Sequence, residues 1–174
     1  MPKMTDDEMQ SFLDEPGHLV RIGTVDHDGS PRVVPTWFIR QDDDIVFTPR
    51  APAVFLANLR RDPRVGLSID EDALPYRKVS VQGTARTLYE PGADDEWRDL
   101  YRAIAYRYVP ADAAEAYLRN TVDQPRALIA VALPDGRITT WRMPVNNEHP
   151  TGIWARRYYV DGTHMANLAD ASNP

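Results

Sequence analysis

The sequence predicts a mainly β fold with flanking helices, an antiparallel barrel of six or seven strands. One observation is a β-branched, apolar run at 19–25, a turn at Asp26-His27-Asp28-Gly29-Ser30 and a second run at 31–40, with Gly29 able to take the positive φ of a tight connection. Another is that Asp42-Asp43-Asp44 turns the chain straight into Ile45-Val46-Phe47-Thr48. Such a meander, with no crossover helix between strands, argues against a doubly wound nucleotide fold. The third is the strand count, because so many strands with few helices would leave long unpaired edges unless the sheet closed on itself.

Each element has its own signal. Thr5-Asp6-Asp7-Glu8 places a hydroxyl and an acid at capping-box spacing, so a short helix runs to Glu15 with Met9, Phe12 and Leu13 on one face, as a lid or edge cover. Beyond the three strands above, helix formers with Val54, Leu56 and Leu59 give a second helix over 53–61, which Pro63 stops. Strands are expected at 64–70 and 77–89, the second long enough to need Gly83 for a bend or bulge. Two helices, 94–107 and 111–119, are separated at Pro110. A last hairpin joins 127–133 to 137–142 across Asp135-Gly136. The chain divides into a barrel domain, 1–142, and a C-terminal extension, 143–174, packed on the barrel or on a dimer.

Composition narrows the function classes. At 174 residues and 43% hydrophobic the chain is one domain's worth of material, able to bury a core without disulfides or structural metal. It has no cysteine, which excludes a thiolate nucleophile, an iron–sulfur cluster and Cys-ligated zinc. A net charge of −6 argues against a broad nucleic-acid-binding face. No apolar run approaches the ~18 residues of a membrane span, and the first residues are acidic and polar, so a cytoplasmic protein is expected. The basic residues are 18 Arg against Lys3 and Lys78, either a codon bias or a use of Arg's fork for carboxylate and phosphate. His18, His27, His149 and His164 lack metal-ligand spacing, no phosphate-cradling glycine loop or Gly-x-Ser-x-Gly is present, and the acidic clusters fall at turns or helix starts.

Five segments, in order, carry a resemblance. They are Ile22-Gly23-Thr24-Val25 with Asp28-Gly29-Ser30-Pro31-Arg32-Val33-Val34-Pro35-Thr36-Trp37-Phe38; Ile45-Val46-Phe47-Thr48-Pro49-Arg50; Asn58-Leu59-Arg60-Arg61-Asp62-Pro63-Arg64-Val65; Tyr76-Arg77-Lys78-Val79-Ser80-Val81-Gln82-Gly83-Thr84-Ala85; and Ile138-Thr139-Thr140-Trp141. Over residues 18–141 the chain resembles the pyridoxamine 5′-phosphate oxidase-like superfamily of FMN-binding split barrels, which includes oxidoreductases that use flavin or the deazaflavin coenzyme F420.

The resemblance implies FMN or coenzyme F420 in a cleft between two subunits. Arg32, Val33, Val34, Pro35 and Trp37 would lie on the strand beside the cofactor, while Thr48, Pro49 and Arg50 would end the next strand with a hydroxyl and a guanidinium in reach of phosphate oxygens. Lys78 would set a polar group against the cofactor and Trp141 an aromatic near its ring, frequently from the second subunit. The blander readings are solvated charges at Arg32, Arg50 and Lys78, strand filler at Thr48 and interface core at Trp141. In the second helix the pattern departs: where the family brings basic residues to the phosphate, this chain has Val54 and Phe55. A missing charge-assisted contact is worth roughly 1.5–3 kcal/mol. Either Arg32 and Arg50 compensate, or the tail is bound differently with Phe55 as an apolar wall of the slot, or no such cofactor is bound.

The extension sets Trp154, Tyr158 and Tyr159 beside Arg156 and Arg157. It either wraps over the barrel, burying Ile153 and Trp154, or closes the slot and offers Arg156 or Arg157 to an anionic substrate. The leading functional expectation is a homodimeric oxidoreductase that moves hydride to or from a small organic substrate with no dedicated acid or base. The alternative is a non-catalytic carrier or sensor of a flavin, haem or another tetrapyrrole in the same slot.

Overall fold

The computed structural model describes residues 3–145, 148 and 154–171. Helix α1 (Asp6–Asp14) opens the chain, with the capping box formed as its sequence dictates: Glu8 N–H donates to the Thr5 hydroxyl, and Thr5 N–H to the Glu8 carboxylate. Strands β1 (Val20–Val25), β2 (Pro31–Thr36), β3 (Phe38–Gln41) and β4 (Asp44–Phe47) follow, then α2 (Val54–Arg61), β5 (Arg64–Asp70) and β6 (Lys78–Tyr89). A 3₁₀ turn at Asp94–Trp97 leads into α3 (Arg98–Tyr106) and α4 (Ala111–Asn120), then β7 (Leu128–Ala132), β8 (Arg137–Trp141) and α5 (His164–Ala171).

All pairings are antiparallel, in the order β2-β1-β5-β6-β7-β4-β3 with β8 also beside β6. The two ends of that path, β2 and β3, are consecutive in the chain with only Trp37 between them, so the sheet curls into a split barrel. The strand expected at 31–40 is therefore two, and the curled path has seven strands, within the expected six or seven, with β8 off that path on β6. Trp37 leaves the sheet to stack on Tyr108, ring centroids 5.1 Å apart. The Tyr108 hydroxyl stitches the seam, accepting from Phe38 N–H at 3.0 Å and donating to the His18 carbonyl at 2.6 Å. Burial pushes that phenol's pKa up, so it stays protonated and able to donate.

Strand β6 belongs to both halves of the barrel. Lys78–Thr84 pairs with β5 and Ala85–Tyr89 with β7, with a register shift between Thr87 and Tyr89. Gly83 stands at the changeover, where a Cβ would lie 2.9 Å from Val131 Cγ1. The expected last hairpin does not form. Strands β7 and β8 both pair with β6, Leu128 to Val131 facing Tyr89 to Ala85 and Arg137 to Trp141 facing Gln82 to Lys78. At twelve residues β6 is long enough for both. Gly136 crosses so close over it that a Cβ would meet Val81 Cγ1 at 3.0 Å, and the turn interrupts one long pairing instead of reversing it.

Alternating positions of the strands fill the barrel with Val20, Ile22, Phe38, Ile45, Phe47, Ile69, Val79 and Val131, and α1 closes one end with Phe12 and Leu13. A second cluster lies outside, where Trp97, Tyr101 and Leu118 cover Val46, Leu128 and Ala130 of β4 and β7. The outer face of the other half, β2-β1-β5-β6-β8, is left open, with Val25, Val33, Gly66, Gln82 and Thr139 exposed. In the extension Arg156 clamps Asp161 and Asp170. Trp154 is 54% exposed against Tyr159 rather than buried under the barrel, and Ile153 lies outside the described residues. No helix of the described residues is long and apolar enough to cross a membrane.

Candidate functional site

At the seam where β2 hands over to β3 there is a cavity of about 260 Å³. Pro35, Thr36 and Trp37 line it from the seam and Thr48 from the end of β4, opposite Tyr101 of α3 and Tyr117 of α4. Arg126 closes it. The chain just past β4 pairs with the chain just before β7: Ala51 N–H bonds the Pro125 carbonyl, Arg50 bridges Arg126, and Ala127 N–H bonds the Pro49 carbonyl. Two arginines thus sit on neighbouring backbone segments. The buried Asp94 carboxylate fixes the second, accepting from the backbone N–H groups of Arg126 at 2.9 Å and Gly92 at 3.0 Å.

Arg126 is 5% exposed. Its guanidinium lies 4.7 Å from the Tyr101 ring centroid and 5.8 Å from that of Tyr117, and Nη2 donates to the Tyr117 phenol at 3.0 Å. Its Nε has no hydrogen-bond partner among the described residues, and neither has the Tyr101 hydroxyl. Burial drives the Tyr101 pKa above the usual phenol range. For Tyr117 burial pulls the same way, but the Tyr101 phenol and the guanidiniums of Arg50 and Arg126 outweigh it and hold the pKa below the ordinary value. The cavity is an aromatic-walled slot with a buried cation and two donor groups at its floor, which suits one end of a flat anionic molecule.

The residues expected from the sequence divide among three places. Pro35, Trp37 and Thr48 line the cavity, buried Pro49 and exposed Arg50 border it, and among the described residues Arg50 has no carboxylate partner. Val33, Lys78 and Trp141 belong to the open sheet face, where the Lys78 ammonium sits 5.6 Å over the indole of its cross-strand neighbour Trp141. A shallow groove of about 490 Å³ runs over that face, floored by Gly23 and Gly66, which pair directly, with Val25 and Val33 beside them. Pro35, in the same outward row as Val33, joins face and cavity.

The remaining residues are engaged elsewhere. Val34 packs on the core, and Phe55 is 8% exposed within it, while Val54 is half-exposed. Arg32 makes a two-pronged pair with Asp26 at 2.8 and 2.7 Å, and Asp26 also accepts from Asn58, whose amide reaches the buried Thr24 hydroxyl. The Arg32 and Asn58 hydrogen bonds hold Asp26 down at a pKa of about 2. Arg156 is held by its two aspartates, and Arg157 lies over Tyr158. Glu15, His18 and Glu71 gather three potential metal-ligating atoms, but both carboxylates already receive the Arg77 guanidinium. Arg126, Tyr101 and Tyr117 escape sequence reasoning. Their one sequence signal is an arginine set directly before the apolar run at 127–133.

The family model described as pyridoxamine 5′-phosphate oxidase matches residues 5–139. A search of the curated proteins matches none. Among solved structures, the chain is similar to a conserved hypothetical protein from Mycobacterium tuberculosis at 24% identity and a TM-score of 0.60, covering 80% of this chain and 85% of that one. It is similar to an F420 reductase at 23% identity and a TM-score of 0.53, covering 76% and 94%. A third neighbour is the haem-storage protein HutZ from Vibrio cholerae, at 16% identity and a TM-score of 0.55, covering 73% and 88%. At these identities the likeness is one of fold.

Proposed function

Since the chain belongs to the pyridoxamine 5′-phosphate oxidase family, we propose that it is an oxidoreductase that binds FMN or coenzyme F420 and passes hydride to or from a small organic substrate. One observation carries this reading: at Pro35 an aromatic-walled cavity with a buried guanidinium opens onto an uncovered, glycine-floored sheet face. A second copy of the chain on that face would turn the shallow groove into a walled cleft, so the active species is a homodimer. The cavity is too small for the cofactor, which would lie in the cleft and touch the cavity only at its rim, by Thr48 and Arg50.

The flavin or deazaflavin would supply the hydride chemistry. The Thr48 hydroxyl and Arg50 guanidinium would hold phosphate oxygens, since of the two guanidiniums expected there Arg32 is engaged by Asp26. Val33, Pro35 and Trp141 would give the ring an apolar bed, with Lys78 beside it. Trp37, stacked on Tyr108, would exclude water from the slot.

A carrier of haem or another tetrapyrrole is the second reading. It is favoured by Phe55, which lies in the core and leaves no cation at that point of α2, and by the haem-storage neighbour. None of His18, His27 and His164 lines the cavity. An absorption spectrum of the purified protein, with mass spectrometry of the released ligand, tests both. A flavin or deazaflavin band supports the oxidoreductase and a Soret band the carrier. A colourless protein that takes up neither FMN nor F420 on titration would remove the redox reading.

A further inference from the structure

We infer that Arg126, flanked by Tyr101 and Tyr117, is a buried receptor for the carboxylate of a flat, conjugated organic acid, and that such acids are the substrate class. The inference rests on the redox reading only in calling that acid a substrate.

Most arginines of this chain that leave bulk water do so with a carboxylate: Arg32 with Asp26, Arg40 with Asp14, Arg77 with Glu15 and Glu71, Arg142 with Glu148. Arg126 is the buried exception. The nearest acid, Asp94, takes backbone N–H groups, and among the described residues no carboxylate pairs with the Arg126 guanidinium. A desolvated guanidinium is costly unless its charge and its N–H groups are answered. Two aromatic faces offset part of that cost, yet Nε remains without an acceptor.

The groups around it are donors. Among the described residues Nε–H has no acceptor, the Tyr101 and Tyr117 phenols sit side by side with each carrying a proton to give, and Tyr117 already accepts from Nη2. A neutral amide or alcohol would bring further donors, whereas a carboxylate is acceptor-only and accommodates all three. One buried positive charge matches one negative charge, which disfavours a phosphate dianion between apolar walls. Trp37, Pro35 and the two tyrosine rings set the shape: a slot of about 260 Å³ with aromatic sides admits a planar skeleton of modest size.

The test is binding of benzoate against its neutral counterpart benzamide, measured by calorimetry on the protein as purified and again after loading with FMN. The wild type should prefer benzoate by about tenfold or more, the scale of one charge-assisted hydrogen bond. Arg126→Gln should abolish that preference by weakening benzoate alone. Tyr101→Phe, which keeps the ring and drops only the hydroxyl, should weaken benzoate several-fold and leave benzamide unchanged, and it serves alone if Arg126→Gln does not fold. No preference in the wild type, or a preference that survives in the variants, overturns the inference. Inorganic phosphate displacing benzoate more strongly than benzoate itself binds overturns it in favour of a phosphate site. A protein without flavin that still prefers benzoate keeps this inference and loses the redox reading; a flavin-loaded protein with no preference does the reverse.

Discussion

Asp26 accepts two hydrogen bonds from Arg32 and one from Asn58, so its ionised form is the one the fold favours. Its pKa falls to about 2 in the folded chain from an ordinary 3.8, and the stability tied to that difference is complete above the ordinary value and lost as pH falls through about 2. Asp26→Asn should therefore lower the melting temperature at neutral pH, and its gap to the wild type should close between about pH 4 and pH 2. A gap of constant size across that range would assign the acid limb to another group. Burial also bears on Phe55. Sequence position sets it where a cation would meet phosphate, but its ring lies in the barrel core beside Leu56 and Leu59. Phe55→Lys should then cost about 3–5 kcal/mol of stability, as expected for losing a buried aromatic, with no gain in FMN affinity. Melting curves and an FMN titration of that variant check it, and tighter FMN binding would return the residue to the cofactor site.

Among the elements, β6 carries most of the topology, since it pairs with β5, β7 and β8. Its changeover from one half of the barrel to the other passes through Gly83, against the stiff, β-branched Val131. Gly83→Ala should destabilise the protein by about 1–3 kcal/mol through overpacking. Val131→Ala, costly alone, should recover part of that loss in the double variant, as denaturant unfolding of the four proteins would show. Strict additivity would mean that the two side chains do not meet. The need for glycine here is visible in the sequence as a break in a long β-prone run, but its cause, a neighbour 48 residues away, is not. Likewise Asp135-Gly136 announces a turn without saying whether the next strand pairs with the last one or continues along β6.

For the whole molecule, the asymmetry of the barrel matters most. Helices α3 and α4 cover one outer face, and the other exposes Val25, Val33 and the Gly23–Gly66 pair. If that face joins two copies, light scattering should find twice the 19.7 kDa chain, and Val33→Glu, a charge at a site 67% exposed in the single chain, should shift it to monomer and release the cofactor. A wild type that runs as a monomer at micromolar concentration would end the dimer reading. A variant that stays dimeric would move the interface elsewhere.

Local chemistry determined most of the elements. Helix α1 follows from Thr5 and Glu8, the first hairpin from Asp28-Gly29, and the end of α2 from Pro63, because caps, turns and proline stops act within a few residues. The order of β-prone segments likewise sufficed for an antiparallel barrel, and five motifs in sequence sufficed for its family. Only the tertiary structure decided which charges are available. Arg32 is neutralised by Asp26, six residues away and across a turn, whereas Arg126 enters an aromatic slot between helices where, among the described residues, no acid pairs with its guanidinium. In the sequence the two arginines look alike. Burial and pairing arise when distant segments close together, here 49–51 against 125–127, and that closure places one of eighteen arginines at the floor of an aromatic-walled cavity.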